Sequence, residues 1–135
     1  MFVVGCTRVV RGESQTRGRM TDEPPKSIEV SLASLAELAV EWWRLDRWAA
    51  DASESPPQAR HVARRMASFL NAHGLEVLDV TGRPYEPGLA VEVLDSYTDA
   101  TLPPGAQLIA ETVSPIILWR GAVVRYGQVV IKKNF

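Results

Sequence analysis

The stretch Gly74-Leu75-Glu76-Val77-Leu78-Asp79 constrains this chain more than any other, because the period of its apolar residues changes there. From Ala59 to His73 they recur at helical spacing. From Val77 to Lys133 the chain is rich in Val, Ile, Tyr and Pro and is broken by turn signals. Gly74 suits the position just past a helix, where a positive φ costs it no Cβ clash. The fold class expected is α+β, an antiparallel helix hairpin followed by a small, mainly antiparallel β domain. The expected division is a tail or mis-assigned start over 1–27, the hairpin over 28–74 and the β domain over 75–135.

The first helix is expected from about Leu32 to Ala50, with Ser31 as its N-cap. Leu35, Leu38, Trp42, Leu45 and Ala49 step by three and four and form one apolar seam; Ala36, Val40, Trp43 and Ala50 form a second stripe beside it. A face this wide needs more than one neighbouring helix, so it must also meet the β half or another subunit. Trp42, Trp43 and Trp48 fall close together. They serve either as large core side chains or as partner-facing anchors, and Trp43 is the better placed for an interface. The second helix opens at Ser55-Pro56-Pro57-Gln58, with Ser55 as N-cap, Pro56 at the first helical position and Gln58 closing a capping box. Its expected seam is Ala59, Val62, Met66 and Phe69, continued by Leu70 or His73. The short polar loop between the helices implies antiparallel pairing.

Strands are expected over Leu75–Val80, Ala90–Tyr97, Gln107–Val113, Ile116–Trp119 and Ala122–Ile131. Pro103-Pro104-Gly105 makes a turn, Arg120-Gly121 a tight hairpin, and Gly127 a bulge or a close approach.

Composition narrows the chemistry. The net charge is −1 with both signs mixed along the chain, which gives no electrostatic footprint for nucleic acid or an anionic membrane. No apolar run approaches the ~20 residues of a membrane span. Cys6 is the single cysteine, so no intrachain disulfide forms, and a reducing cytoplasm is the expected compartment. Val3-Val4-Gly5-Cys6 resembles a lipoprotein box but lacks a basic and apolar leader before it. Residues 1–27 scatter Arg8, Arg11, Arg17 and Arg19 among small polar residues, and Met20 is an alternative start. His61 and His73 have no cysteine or paired carboxylate at ligand spacing, so no metal and no cofactor is expected. There is no phosphate loop, dinucleotide fingerprint or nucleophile elbow. The expectation is a non-enzyme that works by recognition; a small enzyme with an unrecognised site is the contrary reading.

Four segments, taken together, resemble the C-terminal part of the GrpE family, nucleotide exchange factors of DnaK-type chaperones. Asn71-Ala72-His73-Gly74-Leu75-Glu76-Val77-Leu78 is similar to the family's helix end and Gly-Val-Glu-x-Ile entry. Pro84-Tyr85-Glu86-Pro87 is similar to its Pro-Phe/Leu-Asp-Pro segment. Asp99 to Leu108, with Pro103-Pro104-Gly105, matches its Pro-Pro-Gly turn, and Gly121, Val124-Arg125, Val129-Val130-Ile131 and Lys132-Lys133 follow the order of its closing hairpin and terminal strand. The chain departs from the family in having no long N-terminal coiled-coil helix, Gln58 in place of a Gly, Ala90 in place of a His, and Pro115-Ile116-Ile117 in place of Lys-Gly-Tyr.

The resemblance implies a factor that presses its β domain on the chaperone's nucleotide-binding domain, favours the open state and so weakens ADP binding. It implies partner contacts at Trp119, Arg120, Gly121 and Arg125, although Arg125 equally suits a pair with a β-domain carboxylate. It further implies a homodimer through a four-helix bundle, with Leu35, Val40 and Trp43 at the dimer interface. The alternative is an adaptor or assembly module that keeps the fold without exchange activity.

Overall fold

A computed structural model of the chain describes residues 2–4, 23–51 and 55–135. The expectations for Cys6, Met20 and the arginines of the tail lie outside them. The chain divides into two compact units, Met1–Leu35 and Ala36–Phe135. In the first, β1 (Phe2–Val4) pairs antiparallel with β2 (Ile28–Val30), Val3 standing opposite Glu29. Neither strand was expected. Three residues are too short a run for any periodicity to be visible, and the pairing is long-range.

Helix α1 spans Leu32–Asp51, and its first turn is held as expected: Ser31 Oγ accepts a bond from the Ser34 amide at 3.1 Å. Helix α2 spans Pro57–Ala72. Its start corrects the expectation by one residue. Pro56 is the N-cap and Pro57 the first helical residue, and no side chain caps the end. Ser55 turns backward instead, and its buried hydroxyl donates to the Ala49 carbonyl at 2.8 Å. That bond answers one of the orphan carbonyls at the end of α1. One helical stretch further back, Trp42 Nε1 donates to the Ala63 carbonyl at 2.8 Å. Trp42 thus meets Ala63 while Ala49 meets Ser55, so the helices run antiparallel.

The buried faces agree with the expected ones in part. On α1 Leu35, Ala36, Ala39, Val40, Trp43 and Ala49 are buried, so the expected second stripe lies inside as far as Trp43, while Leu38 of the first seam is 42% exposed. On α2 Ala63 and Leu70 are buried, whereas Val62 and Phe69 are each 48% exposed. Alanines at Ala36, Ala39 and Ala63 are buried beside larger side chains such as Trp43 and Leu70, and Leu38, Val62 and Phe69 are left outside.

After α2, His73 closes the helix through bonds from its amide to the Phe69 and Leu70 carbonyls, and Gly74 takes φ +87°. Six strands follow: β3 (Leu75–Leu78), β4 (Val91–Thr98), β5 (Gln107–Ser114), β6 (Ile116–Trp119), β7 (Ala122–Arg125) and β8 (Gly127–Lys133). They build two three-stranded sheets, ordered β3-β6-β7 and β4-β8-β5. All pairs are antiparallel except β4 with β8. The segment Gly82–Tyr85 lines β5, with bonds from Gly82 to Ile109, Ile109 to Arg83 and Tyr85 to Gln107. The Pro-Pro-Gly turn closes as expected, the Ala106 amide bonding to the Pro103 carbonyl around Gly105 at φ +81°.

The expected strand Ala122–Ile131 is two strands in different sheets, split at Tyr126. Here Gly127 marks a close approach rather than a bulge: a Cβ on it would sit 3.0 Å from the Ser114 carbonyl oxygen and 3.1 Å from Ile116 Cγ1. Ser114-Pro115-Ile116 is where the chain leaves one sheet for the other, and Gly127 is where it returns. The two crossings touch, and beside them Val80, Ile109, Ile116, Val129 and Ile131 form the buried core.

Gly127→Ala should therefore destabilise the protein by about 1–3 kcal/mol, because backbone atoms cannot move aside cheaply. Gly88→Ala, with open space around its Cβ position, should be near neutral. Urea unfolding of the two variants beside the parent protein measures the contrast.

Candidate functional site

The β6–β7 hairpin carries the residues expected to touch a partner. Its turn has Arg120 at φ +49° and Gly121 at φ +85°, the positive pair that a two-residue turn needs to match strand twist. Trp119 faces Ala122 across it. The tip is fastened to the end of α2: the Arg120 amide donates to the Gly74 carbonyl at 2.9 Å, and Trp119 Nε1 donates to the His73 carbonyl at 3.0 Å. A Cβ on Gly74 would stand 3.0 Å from that indole nitrogen, a second reason for glycine there. The Arg120 guanidinium lies over the Trp119 ring at 4.6 Å. Trp119 is thus half-buried and works as a strut, while Arg120, Gly121 and Arg125 are exposed.

Beside them β7 and the residue after it expose Val123 (44%) and Tyr126 (63%). Sequence reasoning missed both, because reading 122–131 as one strand hid that β7 is the outer strand of its sheet. Among the described residues, the ion pairs are Arg44 with Glu41 and Lys132 with Asp99, so Arg125 has no β-domain carboxylate as a partner. It lines an open cavity of about 270 Å³ with Glu37, Val40, Glu41 and Arg44 of α1. The hairpin surface is consequently a basic and apolar strip on a rigid mount.

The three positions expected at a dimer interface are not grouped on the surface. Leu35, Val40 and Trp43 are 8%, 2% and 5% exposed in the single chain, so their burial needs no second copy. Trp43 instead faces the β half, Nε1 donating to Asp79 Oδ2 at 3.3 Å. The Thr81 amide and hydroxyl donate to Asp79 Oδ1 at 3.0 and 2.8 Å. Thr112 Oγ1 lies 2.8 Å from Thr81 Oγ1; an ionised carboxylate only accepts, so Thr81 spends its proton on Asp79 and Thr112 donates into Thr81. Arg47 completes the joint, bonding to the Thr112 carbonyl at 3.2 Å and stacking 4.5 Å over Trp43. Partial burial pushes the Asp79 carboxyl up, but the bonds from Thr81 and Trp43, with the Thr112 hydroxyl behind Thr81, outweigh it and hold the group below its ordinary range.

No group of three or more metal-ligating side chains occurs among the described residues, and no helix of the described chain is long and apolar enough to cross a membrane. His73 Nδ1 lies 2.9 Å from the Phe69 carbonyl at the C-terminal end of α2. No known family model matches the chain, and no curated protein matches it.

Because its folded-state pKa is depressed, Asp79 stabilises the fold above the unfolded value near 4 and loses that contribution as pH falls through the lower, folded value. Asp79→Asn should flatten the acid limb of a plot of stability against pH below about 4. Trp43→Ala should cost about 3–5 kcal/mol and leave the association state unchanged. Denaturation across pH and sedimentation of the Trp43 variant provide the readings.

Proposed function

We propose that this protein is a GrpE-like co-chaperone, binding the nucleotide-binding domain of a DnaK-type ATPase in the cytoplasm and promoting ADP release without covalent chemistry. The observation that carries the reading is the exposed strip of Arg120, Val123, Arg125 and Tyr126 on a hairpin clamped to a helix end. Arginine and tyrosine are enriched in interface hot spots, and the clamp limits what ordering costs on binding. The family resemblance supplies the partner, and the element order of helix pair followed by small β sheets supports it.

Mechanism follows from linkage. A factor that binds the open ATPase 100-fold more tightly than the closed, ADP-bound form weakens ADP by the same factor, about 2.7 kcal/mol. Arg125 supplies a charge-assisted bond to a partner carboxylate, and Trp119 holds the hairpin in position. A homodimer belongs to the same reading, but through side chains other than those first expected. Val62 and Phe69, two turns apart on one face of α2, and Leu38 on α1 remain exposed and suit a second copy. The second reading is an adaptor that binds through the same strip without exchange; the joint of the helix pair to the β sheets serves it equally well.

Release of a fluorescent ADP analogue from the DnaK-type ATPase of the same genome should accelerate on adding the protein. Arg125→Glu should cut the acceleration at least about tenfold, the scale of one lost charged contact. Binding without acceleration establishes the adaptor reading, and absence of binding removes both. Phe69→Glu should convert a dimer to monomers in light scattering while the fold persists; a parent protein that is already monomeric removes the dimer.

A further inference from the structure

The second sheet ends on a strand that nothing described covers. In the order β4-β8-β5, β4 has β8 on one side and no described strand on the other. β5, at the opposite side, is lined by the Gly82–Tyr85 backbone. In a parallel pair alternate N–H and C=O groups point away from the neighbour, so over Val91–Thr98 half of the backbone groups face outward. One is answered locally, the Ser96 amide by Asp95 Oδ1 at 2.8 Å. The strand is long for an edge, and it is apolar: Val93, Leu94 and Tyr97 are 36%, 48% and 51% exposed.

Two features decide what could pair with it. The register shifts between Val93 and Asp95, which turns Leu94 out of the regular alternation and interrupts the ladder. Charge is the second. Between Arg83 and Arg120 the sequence has no Lys or Arg, while Glu86, Glu92, Asp95, Asp99 and Glu111 all fall there. Asp99 is answered by Lys132 at 3.8 Å, and Glu92 accepts only a neutral bond from Gln128 at 3.2 Å. Glu92 and Asp95 thus leave the β4 edge negative. A second copy of β4 added edge to edge would bring these carboxylates together, and like charges across a pair are unfavourable.

We propose that the β4 edge is a strand-addition site for an extended partner segment with alternating basic and apolar side chains. Backbone bonds to the outward groups of β4 would supply affinity, contacts with Leu94 and Tyr97 would fix register, and Lys or Arg opposite Glu92 and Asp95 would select the partner. This surface has the opposite charge to the Arg120–Arg125 strip and does not depend on exchange activity.

The test uses the full chain, amide-labelled, and three synthetic ten-residue peptides. One alternates Lys with Val, one alternates Glu with Val, and the third is the Lys-Val peptide N-methylated at every second amide to block strand pairing. The Lys-Val peptide should slow hydrogen exchange of outward β4 amides by tenfold or more, with shifts centred on residues 91–98, and the other two should not. Glu92→Lys should weaken its binding at least tenfold without changing the far-ultraviolet spectrum, and 0.5 M salt should weaken it in the parent. Equal binding of the N-methylated peptide would mean attraction by charge alone and would overturn the proposal. So would protection that maps to the Arg120–Arg125 strip or an absence of binding by the Lys-Val peptide. Loss of exchange activity in Arg125→Glu with β4 binding intact separates this surface from the co-chaperone reading.

Discussion

Asp79 is where the helical part and the β part of this chain become one body. Its carboxylate takes the indole proton of Trp43 from α1 and both donors of Thr81 from the loop after β3, and through Thr81 it reaches Thr112 on β5. Arg47 returns from α1 to the backbone of the same Thr112. A buried tryptophan on an apolar stripe would settle at many angles against a sheet. A directional bond from its ring nitrogen selects one, since burial is nondirectional and hydrogen bonds are not. The carboxylate stays partly solvated, which avoids the desolvation cost of a fully buried charge. The joint therefore specifies an orientation at modest cost, and the hairpin that carries Arg125 is presented beside α1 because of it.

Much of the chain was legible wherever a residue has one conformational use. Gly74 ends α2, Arg120-Gly121 makes the positive-φ turn, and Pro103-Pro104-Gly105 closes the bend before β5. Each position is dictated by backbone sterics and can be read without knowing the neighbours. The helix faces were harder. On α2 the expected seam is met in part: Leu70 is buried as one of its alternatives, whereas Val62 and Phe69 are exposed and Ala63 is buried instead. Adjacent stripes share one period, so spacing alone does not choose between Val62 and the neighbouring Ala63. Ser55 failed similarly, because its hydroxyl had two acceptable uses and the carbonyl of Ala49 won.

The candidate surfaces were legible only in part, for a topological reason. A continuous Val-rich run from Ala122 to Ile131 reads as one strand, and only the contact of Gly127 with Ser114 and Ile116 shows that it changes sheet. Once split, its first half becomes an outer strand that displays Val123 and Tyr126, and its second half becomes a buried central one. The same run thus gives a surface and a core. Nothing in composition separates the two, because β propensity measures fit to a pleated surface and not position within a sheet.

The placement of β8 between β4 and β5 has a consequence for how the protein is made. β8 follows both of its neighbours in the chain, so neither has its partner while the ribosome is still synthesising the residues before Gly127. Until β8 is made, Val91–Thr98 has no strand partner and Gln107–Ser114 has only the Gly82–Tyr85 segment beside it, and unpaired strand edges are where folding chains aggregate. Order of synthesis and order of assembly are then opposed, because the middle strand is made after both of its neighbours.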